Sequence, residues 1–438
     1  MSRRNLYLLL ATFAFSLVCY FKGEQNPYAR YLLDGYGKID HLALDDVPDE
    51  ALFEGAMEGM VQVLNRRGDP YSELLAPQAA KRMGEELSQE FGGIGVVLEF
   101  KAEIPGYFIA HPPLAGLPAD RAGIRRGDQI IAIDGVSTEG LTDRDFEVVL
   151  QRMRGKPRKE LRLSIRRPGV EEPLELSLKR ERIEQPSIAG DIPLEFPKWE
   201  YLLEEDRRIA LVRVMSFGDK TAGEIESLLT RLTREGMEGL ILDVRRNPGG
   251  RLDSAIDVCR LFLPAGELIV ETHGRGNKVI DSVSTTSDGP FTNFPMVVLI
   301  DGDSASASEL VAGCLKDTGR AVVGGQRSYG KGTVQQLLYM QSGNRMLKLT
   351  SASFWTKGGE RIQRLPQAER WGVDPSPGLE VELTEEQHSE WLLARRERDR
   401  PATGARSPSE SDQPAERLFV DEAVDRAVAH LQHQLDHQ

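Results

Sequence analysis

The residue types able to do covalent chemistry concentrate in two short segments, SASASE at residues 304–309 and GKGTVQQ at residues 330–336. A serine hydroxyl is a weak nucleophile until a base takes its proton, and a lysine can take it only while neutral. Neutrality near pH 7 requires the lysine pKa to fall from ~10.4 towards 7, about 4–5 kcal/mol against the charged form, which desolvation supplies. The first segment follows the apolar run PMVVLID and precedes Leu310, Val311, Cys314 and Leu315 at helical spacing, which reads as strand, tight turn, helix. A serine on such a turn stands beside the N–H groups of a helix start, where a developing oxyanion is stabilised. Ser306 and Glu309 also fit an S-x-x-E capping box, the ordinary structural role for that pair. On physical grounds alone Ser304 and Ser308 stand beside Ser306 as candidates. Lys331 lies between two glycines, in a loop entering a strand. Residues 325–331, GQRSYGK, narrowly miss the phosphate-binding pattern. Gly332 replaces its hydroxyl ligand and a β-branched run replaces its helix, so nucleotide binding is set aside.

A third segment, DVRRNPGG at residues 243–250, follows the apolar run GLILDV and precedes Leu252, Ile256, Cys259 and Leu263 in helical register. Pro-Gly-Gly is in itself a turn signal. Together the three segments resemble the C-terminal processing (tail-specific) protease family, which pairs a SASASE serine with a GKG lysine and a glutamine four residues on. The resemblance implies Ser306 as nucleophile, Lys331 as general base and Gln335 as the residue that orients the lysine. It also implies an oxyanion hole made by the Ala307 amide with Gly249 or Gly250. Strand alternation independently places Lys331, Thr333 and Gln335 on one side. The activity implied is that of a serine endopeptidase cutting proteins near flexible C-terminal tails, with no cofactor and no metal.

Residues 88–181 resemble a PDZ domain, on FGGIGVVLEF at residues 91–100 and LPADRAGIRRGDQIIAIDGV at residues 117–136. Such a domain adds an incoming peptide as a strand to a sheet edge and presents loop N–H groups to its terminal carboxylate, and Ile94, Gly95 and Val96 match that loop. The resemblance implies that the domain recruits or gates substrates. The protease core spans residues 182–380, where IALVRV, LILDV, MVVLI and AVVGG alternate with helical stretches, an α/β pattern. Thr356-Lys357-Gly358-Gly359 departs from the family's more usual Thr-Pro-x-Gly at the rim of the substrate groove.

The rest of the chain frames this site. At 438 residues it holds several domains with real cores, so the expected class is multidomain α+β: an α/β serine protease core with an inserted PDZ domain, an N-terminal helical region and a C-terminal helix. The formal net charge of −13 argues against a nucleic-acid partner. Three cysteines, Cys19, Cys259 and Cys314, show no metal spacing, and the last two fall on apolar helix faces. Residues 1–24 carry Arg3 and Arg4 before an apolar run from Leu6 to Phe21 and lack an A-x-A site. They are expected to form an uncleaved single-pass anchor in a bacterial-type inner membrane, with the catalytic part extracytoplasmic. Residues 25–87 are expected to be helical, contributing to assembly, a homo-oligomer included. Residues 381–416 read as a disordered linker, and residues 417–438 as an amphipathic helix that docks or dimerises. His430, His433 and His437 share part of that helix face and read as a solvated stripe.

Two rival readings follow. One is a catalytically silent, membrane-anchored PDZ scaffold, against which Ser306, Lys331 and Gln335 stand intact. The other is a Ser/His/Asp hydrolase using His273 or His111, neither of which sits in a recognisable constellation.

Overall fold

The computed structural model describes residues 27–102, 104–194, 198–340, 345–359, 361–399 and 421–437. The expected anchor, Cys19 and residues 400–416 of the expected linker lie outside the described residues. No helix among those described is long and apolar enough to cross a membrane. The chain divides into two compact units, one comprising residues up to Ala76 together with Leu337–Leu349, the other comprising the remainder.

In the first unit, helices α1 (Pro27–Leu42) and α2 (Asp49–Arg66) precede a short strand β1 (Glu73–Leu75). This strand pairs antiparallel with residues 346–348. Buried Arg345 ion-pairs with Glu50 and Glu54 of α2 and lies over the Phe53 ring. Helix α1 buries none of its residues.

The second unit opens with α3 (Pro77–Ser88) and strand β2 (Glu90–Gly93). A purely antiparallel path then runs through β3 (Leu98–Lys101), β4 (Gly106–Ile109), β5 (Gln129–Ile133), β6 (Glu160–Arg166) and β7 (Leu174–Lys179). Alternation is clean in β6, where Leu161, Leu163 and Ile165 are fully buried against helix α4 (Phe146–Met153) and neighbours. Strand β8 (Glu181–Glu184) returns to pair with β2, so the expected boundary at residue 181 falls within a strand.

The segment expected to be the protease core holds a five-stranded sheet in the order β9 (Ile188–Ala189), β10 (Ile209–Val214), β11 (Gly239–Asp243), β12 (Met296–Ile300), β13 (Val322–Gly325). Its last four strands are parallel, and β10, β11 and β12 are buried at every residue because helices cover both faces. On one face pack α5 (Thr221–Arg234), α6 (Leu252–Phe262) and α7 (Ala307–Asp317). Strand β14 (Thr333–Tyr339) follows β13 after the lysine loop.

Two expectations about the C-terminal part are refined. Residues 385–398, expected to lie in a linker without structure, form helix α8 (Glu385–Arg398), begun by a capping box between Thr384 and Gln387. Tertiary ion pairs outweigh its polar composition: Arg395 and Arg398 bind Asp191, and Asp399, just beyond the helix, binds buried Arg213 at 2.9 Å. The terminal helix α9 (Glu422–Leu435) docks on the sheet, one of the two roles expected for it. Its Val424, Ala427 and Leu431 cover the second face of the sheet, against Ile209, Leu211, Ile241, Val297 and Leu299.

Candidate active site

The site forms at the C-terminal ends of β11 and β12, where two loops turn into α6 and α7, the crevice in which open α/β sheets place ligands. The three serines of SASASE separate by environment. Ser304 is fully buried and its hydroxyl donates to the Val244 carbonyl at 2.8 Å. Ser308 is fully buried and donates to the Asn247 carbonyl at 2.8 Å. Ser306 alone of the three is partly exposed, and it sits at φ 57°, ψ −112°. That is strained backbone for a residue with a side chain, held where the turn meets α7.

The helix start expected from the capping box is present, and its Glu309 half does more than cap. Glu309 is fully buried and its Oε2 accepts the Ser306 N–H at 2.8 Å. The same oxygen accepts the Lys331 N–H at 2.8 Å, while Oε1 accepts the Gly330 N–H at 2.6 Å and the Ser328 hydroxyl at 2.6 Å. One carboxylate therefore fastens the backbone of the serine turn to that of the lysine loop. Burial pushes the Glu309 carboxyl above its ordinary value, and these four hydrogen bonds pull the other way. The near-miss phosphate loop is explained as well: a strand rather than a helix follows it, and this carboxylate takes up two of its amides.

Gln335 donates to Thr333 Oγ1 at 2.9 Å and to Thr350 Oγ1 at 3.3 Å, so Thr333 and Gln335 do share one side of β14. Ser328 also accepts the Val373 N–H at 2.7 Å, tying the lysine loop to the WGVDPS segment.

The Pro-Gly-Gly turn lies against the serine turn. A Cβ on Gly249 would stand 2.8 Å from the Ala305 carbonyl oxygen, 2.9 Å from the Ala307 nitrogen and 2.9 Å from the Ser306 Cβ, at φ +106°. Only glycine permits this approach. Asn247, fully buried, fixes the turn by donating to the Val214 carbonyl and accepting the Gly249 N–H at 2.9 Å. Gly249's amide is thereby engaged. The N–H groups of Gly250 and Ala307 have no hydrogen-bond partner among the described residues. Gly249→Ala is expected to lower kcat at least tenfold while costing about 1–3 kcal/mol of stability from strain and contact, as read from steady-state cleavage and urea unfolding.

Sequence reasoning missed Asn247, Ser328 and Asp317. At the end of α7, Asp317 accepts the Thr356 hydroxyl at 2.5 Å and the Gly358 N–H at 2.9 Å, which orders the atypical TKGG turn. None belongs to a motif of nucleophile and base, and their roles depend on contacts 33 to 45 residues apart. The histidine alternative gains nothing: His273 stacks on Trp355, with ring nitrogens facing Asn277 and Glu271. His111 lies in the PDZ segment.

Ile94, Gly95 and Val96 form the turn between β2 and β3. The carbonyls of Ile94 and Gly95 accept from Ala119 and Leu114, whereas the N–H groups of Gly95 and Val96 are unengaged among the described residues. They border an apolar groove of about 450 Å³ lined by Leu98, Phe146, Leu150, Met153 and Trp199, among others. Arg154, whose guanidinium lies 4.2 Å from the Phe91 ring, lines it too, and its Nε is buried without a hydrogen-bond partner among the described residues.

His433 and His437 stack at 4.4 Å, but no metal-holding group among the described residues includes them. Cys259 and Cys314, placed by the sequence on apolar helix faces, are buried free thiols.

Comparison with known proteins agrees with this architecture. Residues 208–376 match peptidase family S41, and residues 113–167 match the PDZ domain. A carboxy-terminal-processing protease of Bartonella bacilliformis is 32% identical over 83% of this chain and 78% of its own. The carboxy-terminal processing protease CtpB of Bacillus subtilis is 32% identical over 78% of this chain and 65% of its own. Among solved structures, a photosystem II D1 C-terminal processing protease aligns with 80% of this chain and 92% of its own, at 24% identity and a TM-score of 0.44.

Proposed function

This chain belongs to the carboxy-terminal processing proteases of peptidase family S41, and we propose that it cuts with a Ser306/Lys331 dyad. The observation that carries the reading is the shared carboxylate oxygen of Glu309, which holds the Ser306 and Lys331 backbones side by side. Lys331, neutral, takes the Ser306 proton as Oγ attacks the scissile carbonyl carbon. The oxyanion is received by the Ala307 and Gly250 amides, the two unengaged donors at the turn. The lysine then returns the proton to the leaving amine, and a water repeats the sequence on the acyl-enzyme to free Ser306. Gln335 orients the lysine from the same side of β14.

Substrates are proteins with unstructured C-terminal tails, recruited or gated by the PDZ groove. Supporting this are the unengaged Gly95 and Val96 amides, suited to a terminal carboxylate, and the apolar groove beside them. Arg154 adds a positive charge on that groove. Leu150→Arg is expected to raise KM for a tail-bearing protein about tenfold or more and to leave cleavage of a short, tailless peptide unchanged. An equal loss on both substrates would remove the recruitment role. The arginine pair and apolar run near the start support anchoring in a bacterial-type inner membrane with the catalytic part on the far side.

The direct test is cleavage of an unstructured, apolar-tailed protein by the wild type, Ser306→Ala and Lys331→Ala. Cutting by the wild type alone, with all three folded, is the expected outcome. Cutting by Lys331→Ala would assign the base elsewhere.

A further inference from the structure

Just beyond the end of β12, carboxylate oxygens of Asp301 and Asp303 and a ring nitrogen of His388 lie within 4.8 Å of one another. Asp301 ends the β12 segment, Asp303 is three residues before Ser306, and His388 projects from α8. We propose that these three side chains form a binding site for a divalent transition-metal ion, zinc by preference, which clips α8 to the turn that carries the nucleophile.

Four features point to a ligand rather than to a chance cluster. First, Asp301 is 6% exposed, and its Oδ1 takes the Arg246 N–H at 2.9 Å, the Asp303 N–H at 3.0 Å and the Ser304 hydroxyl at 3.2 Å. Those bonds account for its role in the turn; Oδ2 accepts none among the described residues. Second, His388 is half-buried, and neither of its ring nitrogens has a hydrogen-bond partner among the described residues. Its nitrogens lie beyond ion-pair distance of both carboxylates but within 4.8 Å, so a side-chain rotation of exposed Asp303 or half-buried His388 brings them to the ~3.4 Å that two ligands of a tetrahedral ion at ~2.1 Å span. Third, Asp301 and His388 both line a cavity of about 20 Å³, which Arg245 also lines and Asp303 does not, so Asp303 would reach the ion from the cavity's edge. The cavity has room for one water or one ion and nothing larger. Fourth, the ring is already aimed. It stacks on Trp391 at 14°, and Trp391 is fixed by its indole N–H to Asp421 at 2.9 Å and by Arg245 over its ring at 4.7 Å. The stack limits the ring's rotation, although no hydrogen bond to its second nitrogen fixes it among the described residues.

The charge balance favours a cation. Arg245 offsets part of the Asp301 charge, but its own ion pairs are to Asp243 and Asp421, at 2.7 and 2.9 Å, so neither carboxylate of the site has an ion pair among the described residues. Two carboxylates and an imidazole suit zinc better than calcium or magnesium, which take oxygen ligands. Water completes the coordination, and the role proposed for the ion is to tie α8, which carries His388, to the turn.

The test uses the full chain, stripped with chelator and titrated with Zn²⁺ by calorimetry, with thermal unfolding followed in parallel. The expected result is one equivalent bound at micromolar Kd or tighter, a rise in Tm, and weakening of about tenfold or more in His388→Ala and Asp303→Asn. Both residues are partly or fully exposed, so the variants should fold, as circular dichroism would check. A His433→Ala/His437→Ala variant controls for the terminal histidines and should bind as the wild type does. The site is overturned if the wild type binds no zinc saturably, if His388→Ala binds equally well, or if binding follows His433 and His437 instead.

Discussion

Ser306→Ala and Lys331→Ala should each lower kcat by about ten-thousandfold or more, and the double variant should be no worse than either. The reason is that nucleophile and base act as one unit: a serine without a proton acceptor does not attack, and a neutral lysine without a serine has nothing to activate. Lys331→Arg should be equally inactive, because a guanidinium stays charged at any pH the fold survives. Ser304→Ala and Ser308→Ala provide the contrast. Each loses a buried hydroxyl bonded to a carbonyl, at 2.8 Å in both cases, so stability should fall by about 0.5–1.5 kcal/mol while kcat changes little. Measurement of kcat on a tail-bearing protein and of urea midpoints for all six variants separates the roles. Activity that survives in Lys331→Ala, or disappears with Ser304→Ala in a folded protein, would break the proposed division of labour.

The sequence makes the chemistry legible where residue type and short spacing coincide. The strand, turn and helix around Ser306 follow from an apolar run, a cluster of small residues and a 3.6-residue period, and β12 and α7 are found there. The buried parallel strands read as continuous apolar runs for the same reason, since both faces are covered. What spacing cannot convey is which polar groups meet across distant loops. Glu309 looks like a cap, and its nearest bond is one, but its bonds to Ser328, Gly330 and Lys331 connect positions 19 to 22 residues away. The choice between Gly249 and Gly250 was likewise open, because it depends on Asn247 taking one amide and not the other. Helix α8 is not legible in the sequence for a related reason: its arginines resemble a solvated run until Asp191 and the Arg213–Asp399 pair are brought beside them.

The clamp itself yields the second large effect. Glu309→Ala should destabilise the protein by about 3–5 kcal/mol, since three backbone N–H groups and one hydroxyl lose a buried acceptor and each unsatisfied group costs ~1–3 kcal/mol before relaxation. Glu309→Gln is the more discriminating variant. It keeps the volume and one acceptor oxygen, but its NH₂ then faces amide donors, so two of the four bonds turn from attractive to repulsive. If the serine turn and lysine loop shift by ~1 Å, kcat falls about a hundredfold, with KM for a tail-bearing protein little changed because the PDZ groove is untouched. A purely structural role would move stability and leave kcat of the folded fraction alone. The pH dependence gives an independent sign. Burial raises the Glu309 pKa above its ordinary 4.5, so between that value and the raised one the folded state holds a proton that the unfolded state has released. Stability from this group therefore falls as pH climbs through that window, and the group contributes nothing to the slope below it. Glu309→Gln should flatten that part of the stability profile relative to wild type. Activity should move the other way: protonation on the acid side converts an acceptor of three amides into a hydroxyl-bearing acid, loosening the clamp, so wild-type kcat should drop reversibly as pH falls through the same window. A profile identical in both proteins would show that Glu309 does not titrate there and that the two loops are held together by something else.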